Sequence, residues 1–202
     1  FFLDLDAGFR YWNSKAENRF FGFLLADGNS DFVTATLSLN AFEMQPTSSL
    51  QASLGIEHTK ATANQTTLDE LGRLNTSTDW WVLFASGHYS FYMDPLIDPA
   101  WKDEAIRPLV HEITLRGQGQ YAFGERLTPT AMSAMGGYAT VRGYPQSTVS
   151  GDSTLQGSLE YRLHLPRMFD AQTAGRGWIG DKFRWRTDSA AGAPPDWDLA
   201  LM

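Results

Sequence analysis

The chain has 202 residues, of which 43% are hydrophobic and 19% are charged, and its formal net charge at pH 7 is -7. The charged residues form no basic stripe that could meet phosphates, so the composition argues against nucleic acid as a partner. The absence of cysteine excludes disulfides and thiolate metal sites. No run approaches the roughly 18 apolar residues of a membrane-spanning helix.

Apolar and polar residues alternate in long runs from the start of the chain. A strand places successive side chains on opposite faces, so each run predicts a strand with one apolar and one polar face. Each run has roughly 10–14 residues, enough to cross a bilayer when tilted. Strands of a sandwich average only about 5–6 residues. The runs are residues 1–12, 31–43, 48–58, 80–92, 109–122 and 154–165.

The last run alternates without a break, with Leu159 and Tyr161 on one face and Glu160 and Arg162 on the other. A soluble sandwich shows this pattern with its polar face in water. A membrane barrel shows it with the apolar face toward lipid and the polar face toward a wet lumen. Aromatic residues make up 13% of the chain, which suits interfacial girdles and a packed β core alike.

Polar connections separate the runs. In residues 59–78, Thr67 followed by Glu70 predicts a helix start with Thr67 as N-cap. Residues 93–108 contain three prolines. Residues 167–195 mix glycine, proline and charge, and predict either a short amphipathic segment at a membrane surface or a loop.

Three motifs occur in order near the end of the chain, namely Val141–Tyr144 (VRGY), Ser150–Asp152 (SGD) and Ser158–Arg162 (SLEYR). This set resembles the BamA and two-partner-secretion superfamily of outer-membrane barrels. In that family a V-R-G-[FY] loop folds back into the barrel lumen, followed by a G-D stretch and a strand with S-x-E-[YF]-R. The upstream strands are similar to the family only in their alternation.

The resemblance implies an all-β fold, an antiparallel transmembrane β-barrel in the bacterial outer membrane. Residues 1–202 would be a partial barrel domain, with about seven to eight strands of a barrel of about 16. The N-terminal periplasmic substrate-binding domains and the final strands would be missing. The VRGY loop, at about residues 136–152, would lie in the lumen.

The resemblance also assigns candidate site residues. A guanidinium in a narrow lumen needs a carboxylate, because an unpaired buried charge costs several kcal/mol. Glu160 is the natural partner of Arg142, since a carboxylate suits its planar fork. A solvated loop arginine for Arg142, and cross-strand ion pairing for Glu160 and Arg162, remain the alternatives. The candidates are the loop motif Val141, Arg142, Gly143 and Tyr144, the anchoring strand residues Glu160 and Arg162, and the loop hinge Gly136, Gly137, Gly151 and Asp152.

The function implied by the resemblance is that of a hemolysin-activator-type transporter, which secretes and activates a partner protein without a cofactor or metal. Its partners would be a secreted or client polypeptide and outer-membrane lipid. An assembly factor or insertase of the same superfamily is the first alternative, and a passive porin or soluble β protein the second. We expect no enzyme, because no G-x-S-x-G or H-E-x-x-H motif occurs and the four histidines are scattered.

Counting strands outward from the VRGY loop, which the family places on the outer side, gives an expected topology. It puts the turns after residues 12, 58, 122 and 165 on the periplasmic side. It puts the loops around residues 43–47, 93–108 and 136–152 on the outer side.

Overall fold

A computed structural model describes residues 1–97, 109–137, 141–165 and 200–201 of the chain. Strand accounts for 65% of the structure and helix for 7%, which confirms the all-β prediction. The elements in chain order are β1 (Phe2–Phe20), β2 (Phe23–Gln45), β3 (Ser48–Ala61), α1 (Gln65–Asp69), β4 (Asp79–Tyr92), α2 (Asp94–Ile97), β5 (His111–Tyr121), β6 (Ser133–Met135), β7 (Val149–Gly151), β8 (Thr154–His164) and β9 (Ala200–Leu201). None of the helices in these ranges is long and apolar enough to cross a lipid bilayer.

Seven of the described strands form one sheet, in the order β1-β2-β3-β4-β5-β8-β9. It is mostly antiparallel and does not close into a barrel within the described residues. Strands β6 and β7 form a separate hairpin in the connection between β5 and β8. The segment 167–195, for which a surface helix or loop was predicted, lies outside the described residues.

Strands β1 and β2 form a longer hairpin than the sequence pattern predicts, pairing from Phe2 with Phe42 to Phe20 with Phe23. The turn residues Phe21 and Gly22 both have positive φ, at 49° and 84°, as in the primed two-residue turns that suit twisted hairpins. The predicted strand stopped at residue 12 because polar side chains replace apolar ones beyond it, whereas the backbone pairing continues.

Exposed apolar side chains and buried polar side chains lie on opposite faces of the sheet. On the first, Val33, Leu37 and Leu159 are exposed by 46%, 47% and 71%. On the second, Thr34 and Thr114 are fully buried. We call these the apolar face and the polar face. The apolar face also carries Leu39, Leu54, Leu115 and Leu155, and the polar face Thr36, Ser38, Asn40, Thr59, Glu112, Glu160, Arg162 and His164.

The chain divides into two units. Unit 1 contains Phe1–Phe42, Gln51–Gly87 and Gly117–Gly157, and unit 2 contains Glu43–Leu50, His88–Arg116 and Ser158–Met202.

A hydrophobic cluster lies on the polar face within unit 1. Phe32, Leu68 and Leu127 are fully buried there, and Trp12 stacks on Phe32 with ring centroids 4.2 Å apart. The connection 62–78 supplies Leu68, and the connection 122–153 supplies Leu127. A Cβ added at Gly28 would lie 2.6 Å from the backbone of the connection 62–78, so glycine permits this close approach.

The helix in the connection 62–78 begins earlier than predicted. Asn64, not Thr67, is the N-cap residue, and its side-chain oxygen accepts a 3.0 Å hydrogen bond from the backbone NH of Thr67. Asparagine caps helix N-termini at least as well as threonine. The hydroxyl of Thr67 also donates to Asn64.

The expected topology is wrong at the connection 122–153. Strands β5 and β8 are direct neighbours, since Gly119 lies against the carbonyl oxygen of Thr154 and Gly117 against that of Gln156. The connection 122–153 therefore leaves β5 and enters β8 at the same ends of the strands as the connection 62–78. The loop 136–152 was predicted on the opposite side from the connection 62–78. The turn after residue 165 lies outside the described residues.

Leu68→Ala should lower the free energy of unfolding by about 2–5 kcal/mol, because its buried side chain would leave a cavity. Urea unfolding followed by tryptophan fluorescence measures this, since Trp12 and Trp80 lie in or against the same cluster. Leu74→Ala is the matched control, because that side chain is 68% exposed. Equal unfolding midpoints for the two variants would contradict the assigned core.

Candidate functional site

The VRGY motif lies in the connection 122–153, which we call the motif excursion. Its hairpin pairs Ser133 with Gly151 and Met135 with Val149. Beyond the hairpin, the backbone NH of Gly137 donates to the carbonyl of Tyr144 at 3.1 Å. The side chains of residues 141–150 are exposed. Pairing of β6 with β7 thus fixes the base of the excursion. The motif lies in the segment between these two strands.

The glycines predicted as a hinge occupy two kinds of position. Gly136 and Gly137 have φ values of 120° and 94°, where L side chains are strained, and a Cβ at Gly136 would also collide with the carbonyl oxygen of Pro145. Gly151 lies in β7, opposite Ser133. In the motif, Gly143 has a φ of 91°. The sharp change in chain direction therefore occurs directly after β6.

An ion pair holds the base of the motif excursion. The guanidinium of Arg73 donates both Nη1 and Nη2 to the carboxylate of Asp152, the second at 2.7 Å. Arg73 Nη1 also donates to the carbonyl oxygen of Leu127 at 2.9 Å, and the NH of Leu127 donates to Asp152 at 3.0 Å. We call this three-residue arrangement the base clamp. A two-pronged arginine–carboxylate bond fixes orientation as well as distance.

Further hydrogen bonds surround the base clamp. The side-chain amide of Gln120 donates to the carbonyl of Asp152 at 3.0 Å, and the NH of Ala122 donates to the hydroxyl of Ser153 at 3.0 Å. From the connection 62–78, the hydroxyl of Ser77 donates to the carboxylate of Glu125 in the motif excursion at 2.7 Å. The connection 62–78 and the motif excursion are therefore joined at several points within unit 1.

The base clamp also sets the protonation of its carboxylate. The hydrogen bonds from Arg73 hold the pKa of Asp152 below its ordinary value. The NH of Leu127 acts in the same direction, and partial burial opposes both. The pKa of Arg73 is raised by the same pair. The pair is thus charged on both sides at neutral pH.

The predicted anchoring residues Glu160 and Arg162 lie in unit 2, in a second polar cluster. Arg162 Nη2 donates to Glu160 at 3.2 Å, and Arg162 Nη1 lies 3.9 Å from Glu112. Glu112 also bonds His164 Nε2 at 2.8 Å and accepts the hydroxyl hydrogen of Ser90. Arg142 belongs to unit 1, and its pairing with Glu160 stays a prediction.

The unit 2 cluster organises charge around Glu112. The hydroxyl of Ser90 donates a hydrogen bond to this carboxylate. In the catalytic triad of a serine hydrolase, the serine hydroxyl would instead donate to a histidine nitrogen. In the ranges that the structure describes, no group of three or more His, Asp or Glu side chains could hold a metal ion. What Glu112 does is bridge neighbouring strands, since Ser90 lies in β4 and His164 in β8.

Sequence reasoning missed Arg73. It pairs with a residue 79 positions away, from a polar connection without alternation. The only sequence signal was that Asp152 belongs to a recognised motif and needs a cation if it is covered.

No family model, curated protein or solved structure matches the chain.

The base clamp should open as the pH falls. A carboxylate whose folded pKa is lowered stabilises the folded state above its ordinary pKa of about 3.9 and loses this contribution as the pH falls through the lower folded value. Amide hydrogen exchange of residues 122–132 should therefore accelerate below about pH 4, beyond the intrinsic pH dependence of exchange.

Asp152→Asn separates this carboxylate from the others that titrate in the same range. The variant keeps the shape of the side chain but cannot lose a charge, so its exchange should already be faster at neutral pH and show no added step. An identical acid step in both proteins would assign the titration to another group.

Proposed function

We propose that this chain is part of the β-barrel of an outer-membrane protein transporter of the two-partner-secretion type, with the VRGY loop folded inward. The inverted polarity of the sheet carries this proposal. On one face of its long strands apolar side chains such as Leu37 and Leu159 are exposed, and on the other face polar side chains such as Thr34 and Thr114 are buried.

A surface of this kind fits lipid better than water. Monomeric soluble proteins rarely expose contiguous apolar patches beyond a few hundred Å², and larger ones mark protein or membrane interfaces. Here exposed leucines recur on several strands of the sheet, with Leu37 on β2, Leu54 on β3, Leu115 on β5 and Leu159 on β8. Contact with lipid would explain the exposed leucines on all of these strands.

Strand length and aromatic side chains support the same proposal. Strand β5 has 11 residues, and tilted by about 40° it would span about 28 Å, close to the apolar band of about 25 Å of outer-membrane barrels. In unit 1, Trp81 stacks on His58 with ring centroids 4.4 Å apart. In unit 2, the hydroxyl of Tyr161 bonds His111 at 2.6 Å. Amphipathic rings of this kind suit a membrane–water interface.

The polar face suits the passage of an unfolded chain. It presents hydroxyl and amide groups such as Thr36, Ser38, Asn40, Gln118 and Gln156. Such groups exchange hydrogen bonds with water and with a peptide backbone. A polar lining of this kind would let an unfolded polypeptide pass.

The alternative is an assembly factor of the same superfamily, which acts on client barrels. The number of periplasmic substrate-binding domains distinguishes the two in the full-length protein. A soluble β protein is distinguished by membrane fractionation.

Leu37→Arg and Leu159→Arg should each destabilise the barrel by about 2–4 kcal/mol or block assembly, because both place a charge on the lipid-facing row. Heat-modifiable gel migration of the full-length protein measures this effect. Ser38→Arg is the matched control, since it adds the same side chain to the polar face next to Leu37, and it should assemble. If Ser38→Arg impaired assembly as much as Leu37→Arg and Leu159→Arg do, the result would contradict the barrel proposal.

Arg142→Ala in the full-length protein should reduce export of the partner protein more than barrel assembly, because the lipid-facing rows stay intact. Glu160→Ala should do the same if the two side chains pair. The exchange of both, Arg142→Glu with Glu160→Arg, should recover part of the export rate. A double-mutant cycle measures their coupling, and strict additivity would show that the loop is not anchored through this pair.

A further inference from the structure

We propose that Arg73 is a positioning residue for the VRGY loop, and that the connection 62–78 is a latch segment that holds the motif excursion in place through the base clamp. This inference rests on the proposed transport function, because it assigns the control of that function to a second connection of the chain. Arg73 would act through Asp152 and would not touch the exported polypeptide.

The geometry of the base clamp makes the latch specific. Arg73 engages both carboxylate oxygens of Asp152, while Leu127 accepts from Arg73 and donates to Asp152. The three residues thus close a ring that only one orientation of the guanidinium satisfies. A lysine would keep the charge but could not supply this planar fork.

The latch segment is attached to the excursion at a second place. In addition to the bond between its hydroxyl and Glu125, Ser77 donates its backbone NH to the carbonyl oxygen of Arg126 at 2.8 Å. The NH of Arg126 in turn donates to the Ser77 hydroxyl at 3.2 Å. Leu68 and Leu127 then bury their side chains in one cluster. The latch segment therefore holds the excursion on both sides of Leu127.

Asp152 occupies the position from which the hairpin can be controlled. It directly follows β7 and precedes β8, so it lies where the hairpin returns to the sheet. The pairing of β5 with β8 does not involve it. Opening the base clamp would free the hairpin and its motif while the sheet stays paired. This gives a two-state element, with the excursion held or released.

The base clamp is also accessible enough to open. The side chains of Arg73 and Asp152 are 20% and 24% exposed. Water and competing ions therefore reach the pair, in contrast to the fully buried leucines beside it. A change in this pair shifts the equilibrium between the two states without removing the hydrophobic cluster.

The test uses the full-length protein in proteoliposomes, with a nitroxide label on a cysteine introduced at Tyr144, in the exposed motif. Arg73→Ala and Asp152→Asn should each increase the mobile fraction of the label about tenfold, the loss expected for a charge-assisted hydrogen bond. Arg73→Lys should restore part of the immobile signal, whereas the exchange Arg73→Asp with Asp152→Arg should restore less of it, because the exchanged groups cannot make the two bonds to Leu127. Lys60→Ala, which removes an exposed positive charge elsewhere in unit 1, is the matched control and should change nothing.

Two further readouts separate positioning from general loss of structure. Heat-modifiable migration should be unchanged in Asp152→Asn, which keeps the side-chain shape. The acid-induced rise in label mobility should disappear in this variant. Partner export, measured on the same variants, should change in proportion to the mobile fraction.

Unchanged label mobility in both Arg73→Ala and Asp152→Asn would overturn the inference. Increased mobility with unchanged export would overturn it as well, because the loop position would not control transport. If the wild-type protein exports no partner at all, the transporter proposal fails instead, and the label comparison still reports whether Arg73 holds the loop.

Discussion

The polarity of the two sheet faces is the constraint on which the rest of the structure depends. A buried leucine or valine gains about 1.5–3 kcal/mol relative to an exposed one, so a water-soluble sheet buries such residues first. Here Leu37 and Leu159 stay exposed while Thr34 and Thr114 are covered. In the proposed barrel, lipid on the apolar face would remove this conflict. It would also leave the polar face as the place where connections can fold back and functional groups can meet.

The polar face is stabilised by different means in the two units. In unit 1, Phe32 and Trp80 pack with leucines from the connections, so burial of apolar surface dominates. In unit 2, Glu112 bonds side chains from the strand on either side, and this satisfies a carboxylate that is only 9% exposed. An unpaired charge there would be costly, since removal of one partner from a buried pair costs about 3–5 kcal/mol.

Sequence alternation predicted the strands and their faces, because a period of two residues determines which side chains share a face. It failed where that signal stops. Strand β1 continues past Trp12 because its backbone still pairs, although Asn13 and Lys15 end the apolar row. It also failed for the path of the motif excursion, since direct pairing of β5 and β8 is a choice between non-local partners. The contact of Arg73 with Asp152 is likewise determined by tertiary packing, and no local pattern encodes it.

Hydrophobic packing and charge pairing together determine the position of the base clamp. On an open, wet face, a single arginine–carboxylate pair contributes little, because water and salt screen it. Next to Leu127, the pair is partly shielded, and the backbone of the same residue meets both charged groups. Packing of the leucines brings the latch segment and the excursion together, and the guanidinium fixes their register. The pair is the more accessible of the two attachments, with 20% and 24% of its side chains exposed, so we expect it to open before the leucine cluster does.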